Sequence, residues 1–142
     1  MILGLKLLDE NMQSCNGGSF QWELDKWYEI EGEINICESG FHFTLLPGIW
    51  EGVRLFICET PKVLDEQIDE SVCRKIRLVK ELSLEERESY EKTILSASEI
   101  YNKTIVSFAD KNFVRKVYEE SESSAWKIFE KSLQKTLKEL VK

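Results

Sequence analysis

The 142-residue chain has one histidine, four cysteines without a close pair among them, and no long apolar run. Cys15, Cys37, Cys58 and Cys73 follow one another at intervals of 22, 21 and 15 residues. Structural zinc sites nearly always include a closely spaced ligand pair, so this spacing argues against one. Met1-Ile2-Leu3-Gly4-Leu5-Lys6-Leu7-Leu8 lacks the basic start and small-residue cleavage site of a secretory signal. A cytoplasmic protein with reduced, mostly buried thiols is therefore expected. No window approaches the roughly 18 apolar residues of a membrane span. Basic residues are scarce at first: residues 1–70 hold fourteen Asp and Glu against four Lys and Arg. Such a surface repels phosphates and anionic lipid, which excludes direct nucleic-acid or membrane binding and favours a basic protein partner. Neither a metal nor a cofactor is expected.

What is present is enough for a core. The composition is 42% hydrophobic with seven Phe, four Trp and four Tyr, and a chain of about 150 residues buries roughly 70% of its unfolded surface. Ile2–Leu8 is an apolar run broken only by Lys6, suited to a strand covered on both faces. Phe20–Leu24, Trp27–Ile30, Ile34–Cys37 and Phe41–Phe43 read as short strands, Val53–Glu59 as a strong one, and Lys75–Lys80 as a basic, alternating one. Ser83 with Glu86 has the pattern of a helix capping box, and no proline follows. Asp110-Lys111-Asn112 marks a break between helices, and Glu119–Ser124 reads as a second break or an exposed turn. Trp126, Phe129, Leu133, Leu137 and Leu140 form an apolar stripe, which is either intramolecular core or an association face. The expected fold is α+β: a small, mostly antiparallel sheet of about six short strands over residues 1–82, then two or three helices over 83–142. The helical region is docked on the sheet or used for association.

One stretch concentrates the chemistry-bearing residues. Cys37, Ser39, Gly40, Phe41, His42 and Phe43 lie together, with the two Phe rings on one strand face and the imidazole on the other. Cys37 and His42 form a possible nucleophile and base, but no orienting carboxylate is evident, and a structural box with His42 bonded to the turn is favoured. Gly18–Tyr28, Glu31–Ile34, Cys37–His42 and the closing Lys75–Leu82 together resemble a domain family of unknown function, the DUF7666 type, common in phages, prophages and bacteria. The resemblance covers about residues 1–82. Where that family often carries a second cysteine two residues after the histidine, this chain has Thr44, so a metal site implied by the box is a ligand short. A second likeness joins Gly40-Phe41-His42-Phe43-Thr44, Val53–Glu59 and Val63-Leu64-Asp65 to ADP-ribosyltransferase-like folds. It implies an NAD cleft at Gly40–Thr44, with Glu59 or Glu81 as the catalytic glutamate, but only Lys6 stands where that fold's first strand carries Arg or His.

The leading functional expectation is a non-enzymatic acidic interaction protein. The phage association implied by the resemblance narrows it to an inhibitor of a host nucleic-acid-handling or defence protein, in the manner of anti-CRISPR proteins. Glu29, Glu31 and Glu33, with Asp65, Glu66, Asp69 and Glu70, are the expected partner-binding carboxylates. The ADP-ribosyltransferase-like enzyme is the alternative, and a homo-oligomer joined through the Trp126–Leu140 stripe is the third.

Overall fold

A computed structural model describes residues 1–14, 20–36, 39–47, 54–67, 70–111 and 115–142, with the backbone alone over 100–111 and 115–125. The architecture is α+β: the described residues form seven strands in two antiparallel sheets, followed by two helices. The larger sheet holds β1 (Ile2–Leu8), β4 (Arg54–Thr60), β7 (Lys75–Glu81) and β2 (Trp27–Glu29) in that order. The smaller holds β3 (Phe41–Phe43), β6 (Ser71–Cys73) and β5 (Asp65–Glu66). The backbone joins the sheets. The chain from Ser71 to Glu81 passes from one to the other at a bend on Arg74, and Leu5 and Thr44 exchange backbone hydrogen bonds of 2.7 and 2.9 Å. Strands that bend from sheet to sheet close the corners of such packings.

The apolar run of β1 is explained by cover on both faces. Leu3, Leu5 and Leu7, with Leu55 and Ile57 of β4, pack against α1 (Leu84–Lys111) and α2 (Arg115–Leu140) through Tyr90, Ala97, Phe129, Leu133 and Leu137. On the opposite face Leu8, Phe56, Cys58, Ile76 and Leu78 meet Trp22, Phe41, Phe43 and Cys73. Gly4 is required here: a Cβ on it would stand 2.1 Å from Cδ2 of Phe43, whose ring lies on the strand backbone. Each fully buried Leu or Phe contributes about 1.5–3 kcal/mol, so both layers matter to stability. Phe129, Leu133 and Leu137 of the expected stripe are thus core, with Trp126 and Leu140 partly buried beside them.

The capping box forms as expected. Ser83 Oγ accepts from the Glu86 amide at 3.2 Å, and Glu86 Oε1 accepts from the Ser83 amide at 3.1 Å. Lys80 Nζ donates to Glu86 at 2.6 Å and to the Leu140 carbonyl at 2.7 Å, tying the start of α1 to the end of α2. A cation at a helix C-terminus is favoured by the helix dipole.

Two expected strands and one expected break are corrected. Phe20–Leu24 makes a single parallel bridge, Leu24 to Leu78, and the described residues of Ile34–Cys37 make one bridge, Asn35 to Ser39. Of the alternating apolar residues in Phe20–Leu24 only Trp22 goes inward, at 2% exposure, while Phe20 and Leu24 stay exposed; alternation supplies no partner strand. The helix runs unbroken through 119–124 inside α2; without Gly or Pro, a Glu- and Ser-rich stretch carries no strong stop. Of the break expected at Asp110-Lys111-Asn112, Asp110 and Lys111 belong to α1, and Asn112 lies outside the described residues. Among the described residues no helix is long and apolar enough to cross a membrane.

Candidate functional site

The box is built into the junction of the sheets. Gly40 has φ of +112° and packs so tightly that a Cβ would meet Val72 Cγ2 at 2.5 Å. Phe41 and Phe43 point into the core, as the alternation predicts, while His42 Nε2 faces Glu70 Oε1 at 3.4 Å. Burial holds the imidazole below the usual histidine range; Glu70 opposes this, Lys6 adds to it, and a hydrogen bond with the Gly40 backbone opposes it again. Lys6 Nζ donates to the His42 carbonyl at 2.7 Å and lies 5.2 Å from the centre of the Trp22 ring. Ser39 Oγ accepts from the Asn35 amide and donates to the Glu33 carbonyl at 2.8 Å. Cys37 lies outside the described residues, so its relation to His42 does too. Thr44, standing where the resembled family often has cysteine, accepts from the Leu46 amide at 2.9 Å. Cys58 and Cys73 are free, buried thiols, both pushed up by burial. Among the described residues no group of three or more His, Cys, Asp and Glu is placed to hold a metal.

The expected partner-binding carboxylates divide. Glu29, Glu31 and Glu33 are exposed on β2 and the loop after it. Arg74 fixes that loop by donating to the carbonyls of Ile30 and Gly32, each at 2.9 Å. Asp65 and Glu66 are exposed on β5. Glu70 differs from expectation: at 6% exposure it is turned inward onto His42, because a carboxylate beside a half-buried imidazole has a polar partner that justifies burial. Asp69 lies outside the described residues. Of the glutamates implied by the transferase likeness, Glu59 is bonded to Arg77, and Glu81 accepts from Arg54 Nε and Nη2, each at 2.8 Å.

Only the tertiary structure shows what Glu66 faces. A cleft of about 600 Å³ opens between α2, the start of β1 and the small sheet. Phe43, Ser71 and Glu66 form one cross-strand row of that sheet and line one side. Glu130, Gln134 and Lys138 line the other; spaced by four residues, they form one row of α2. Ile2, Leu45, Val63 and Leu64 supply apolar surface between them. Burial pushes the Glu130 carboxyl above the ordinary range, the Glu66 carboxylate adds to this, and a hydrogen bond with the Trp126 side chain opposes it. The cleft therefore has one acidic end, where the Glu66 carboxylate acts on Glu130.

Sequence reasoning passed over Glu130. The signal was available, because Glu130, Gln134 and Lys138 each directly follow a residue of the Phe129, Leu133, Leu137 row. What was missing was the wall opposite.

A family model for a domain of unknown function (DUF7666) matches residues 2–89, through the first turn of α1 and a little beyond. No curated protein matches the chain, and no solved structure does.

Proposed function

The chain belongs to the DUF7666 family, a domain of unknown function, and on that premise we propose a non-enzymatic interaction protein that engages a basic surface of a partner protein. The observation that carries the reading is the cleft lined by Glu66 on one side and Glu130 on the other, where burial and the Glu66 carboxylate hold the Glu130 carboxyl above the ordinary range. A cation arriving between two such carboxylates relieves repulsion as well as adding attraction. The loop bearing Glu31 and Glu33, rigidly held by Arg74, adds a second exposed acidic surface suited to steering a basic partner. The narrower form of the proposal is an inhibitor of a nucleic-acid-handling or defence protein in the cytoplasm of a phage host. It rests on the phage association that the family resemblance implies, together with the net charge of −7.

The test is affinity capture from a bacterial lysate with intact mass measurement of what co-elutes. The expected result is one partner in fixed stoichiometry, released by salt. Its recovery falls by about tenfold or more when Glu29, Glu31, Glu33 and Glu66 become Gln and Asp65 becomes Asn. Equal recovery by that variant overturns the reading. A lysate protein heavier by one ADP-ribose unit replaces it with the transferase-like alternative.

A further inference from the structure

We infer that the cleft between α2 and the small sheet receives an extended basic-apolar segment of the partner, with a Lys or Arg seated between Glu66 and Glu130. The inference rests on the proposed interaction role and names the part of the partner that is recognised. Four features on the structure specify this occupant.

The first is charge. Carboxylates from different elements line the cleft, Glu66 on β5 and Glu130 on α2, and the Glu66 charge acts on Glu130. The Trp126 side chain hydrogen-bonds with Glu130. An ammonium or guanidinium between them forms charge-assisted hydrogen bonds with both.

The second is apolar exposure. Met1, Ile2 and Leu64 are 64%, 36% and 40% exposed, and all three line this one cleft. Large apolar side chains gathered in one concave place, rather than scattered singly, mark a binding surface.

The third is length. Glu130 and Lys138 are eight residues apart on α2, about 12 Å along the axis at 1.5 Å per residue. An extended chain covers that distance in about four residues. The occupant's basic residue therefore stands at one end and its apolar residues over Ile2 and Leu64. Lys138 then lies beside the fourth residue and suits a backbone carbonyl or an acidic side chain there.

The fourth is the sheet edge. Among the described residues β5 is the last strand of the small sheet and forms one lip of the cleft. An edge strand is a ready template for an extended segment.

The experiment is to pan a random linear heptapeptide display library against the full chain, then measure one enriched peptide by fluorescence anisotropy. Enriched sequences should share a Lys or Arg followed within four positions by aliphatic residues. Affinity should fall at least tenfold in Glu66→Gln/Glu130→Gln and separately in Leu64→Asp, an exposed position outside both buried cores. It should remain unchanged in Glu88→Gln/Glu91→Gln, two exposed carboxylates of α1 outside the cleft; Glu29→Gln/Glu31→Gln/Glu33→Gln is the loop variant compared in the capture experiment. Each variant is first shown to melt within a few degrees of the parent. No enrichment, enrichment without a basic residue, or unchanged affinity in both cleft variants overturns the inference. If the captured partner is retained by the cleft variants yet lost by the loop variant, the cleft inference fails while the acidic-interaction reading stands.

Discussion

Gln134 completes the edge of β1: its side-chain amide accepts from the Leu3 amide at 2.9 Å and donates to the Leu3 carbonyl. A helix residue thus does for Leu3 what the backbone of Thr44 does for Leu5, two positions along the strand. Unpaired backbone groups on an edge strand invite pairing with another chain, and each part-buried one left unpaired costs about 1–3 kcal/mol. Gln134→Leu should therefore lower stability by about 2 kcal/mol and accelerate hydrogen exchange at Leu3. Urea denaturation and exchange measured by NMR check both. Unchanged protection at Leu3 would show that the amide is not what closes this edge.

Gly4→Ala should be among the most damaging single-methyl changes in the chain. The added carbon meets the Phe43 ring at 2.1 Å, and that ring is buried and cannot swing to solvent. Overpacking of this kind typically costs about 1–3 kcal/mol. Phe43→Leu should recover part of the loss in the Gly4→Ala background while destabilising the parent. A double-mutant cycle by thermal melting gives the coupling, and strict additivity refutes the contact.

Lys80 holds two helix ends with one ammonium. Lys80→Met keeps the stem and removes both bonds, so a loss of about 1 kcal/mol is expected, shrinking at high salt. Lys80→Glu should cost more, because it sets a carboxylate against Glu86 and the end of α2. Melting temperatures at low and high ionic strength test the sign and the salt dependence.

His42 makes stability depend on pH in a stated direction. The unfolded chain takes up a proton near pH 6.5 that the folded chain resists, because burial holds the imidazole below that value. The stability from this group is complete above about pH 6.5 and declines as pH falls through it towards the lower folded value. Glu70, Lys6 and the Gly40 backbone are the groups acting on the ring. Glu81 and Glu86, held below 4.5 by Arg54 and Lys80, lose their contribution only at lower pH. His42→Asn should flatten the slope between about pH 7 and 5.5 and leave the acid limb intact. An unchanged slope in that variant places the titration elsewhere.

The buried thiols should be silent in the folded protein. Burial pushes both Cys58 and Cys73 up and keeps them from reagent. In a Cys15→Ser/Cys37→Ser variant, a thiol reagent should react negligibly under native conditions and count two thiols after denaturation. Fast native reaction would contradict the burial of both.

The sequence by itself determined the elements whose signals are local. The doubly covered β1 follows from the apolar run Ile2–Leu8, the start of α1 from Ser83 and Glu86, and the inward Phe41 and Phe43 from two-residue alternation. The α+β division and the family box were likewise legible along the chain. Long-range pairing was not, because periodicity fixes which side is buried but not what lies opposite. Phe20–Leu24 alternates like a strand and finds one bridge, while Glu70 reads as one more carboxylate in an acidic run and turns inward to His42. The cleft was decided the same way. Glu66 and Glu130 stand 64 positions apart in sequence, and their mutual field exists only once Phe129, Leu133 and Leu137 have packed α2 against the larger sheet. Burial of an apolar row chose the orientation of the helix, and the polar row beside it became a wall of the site.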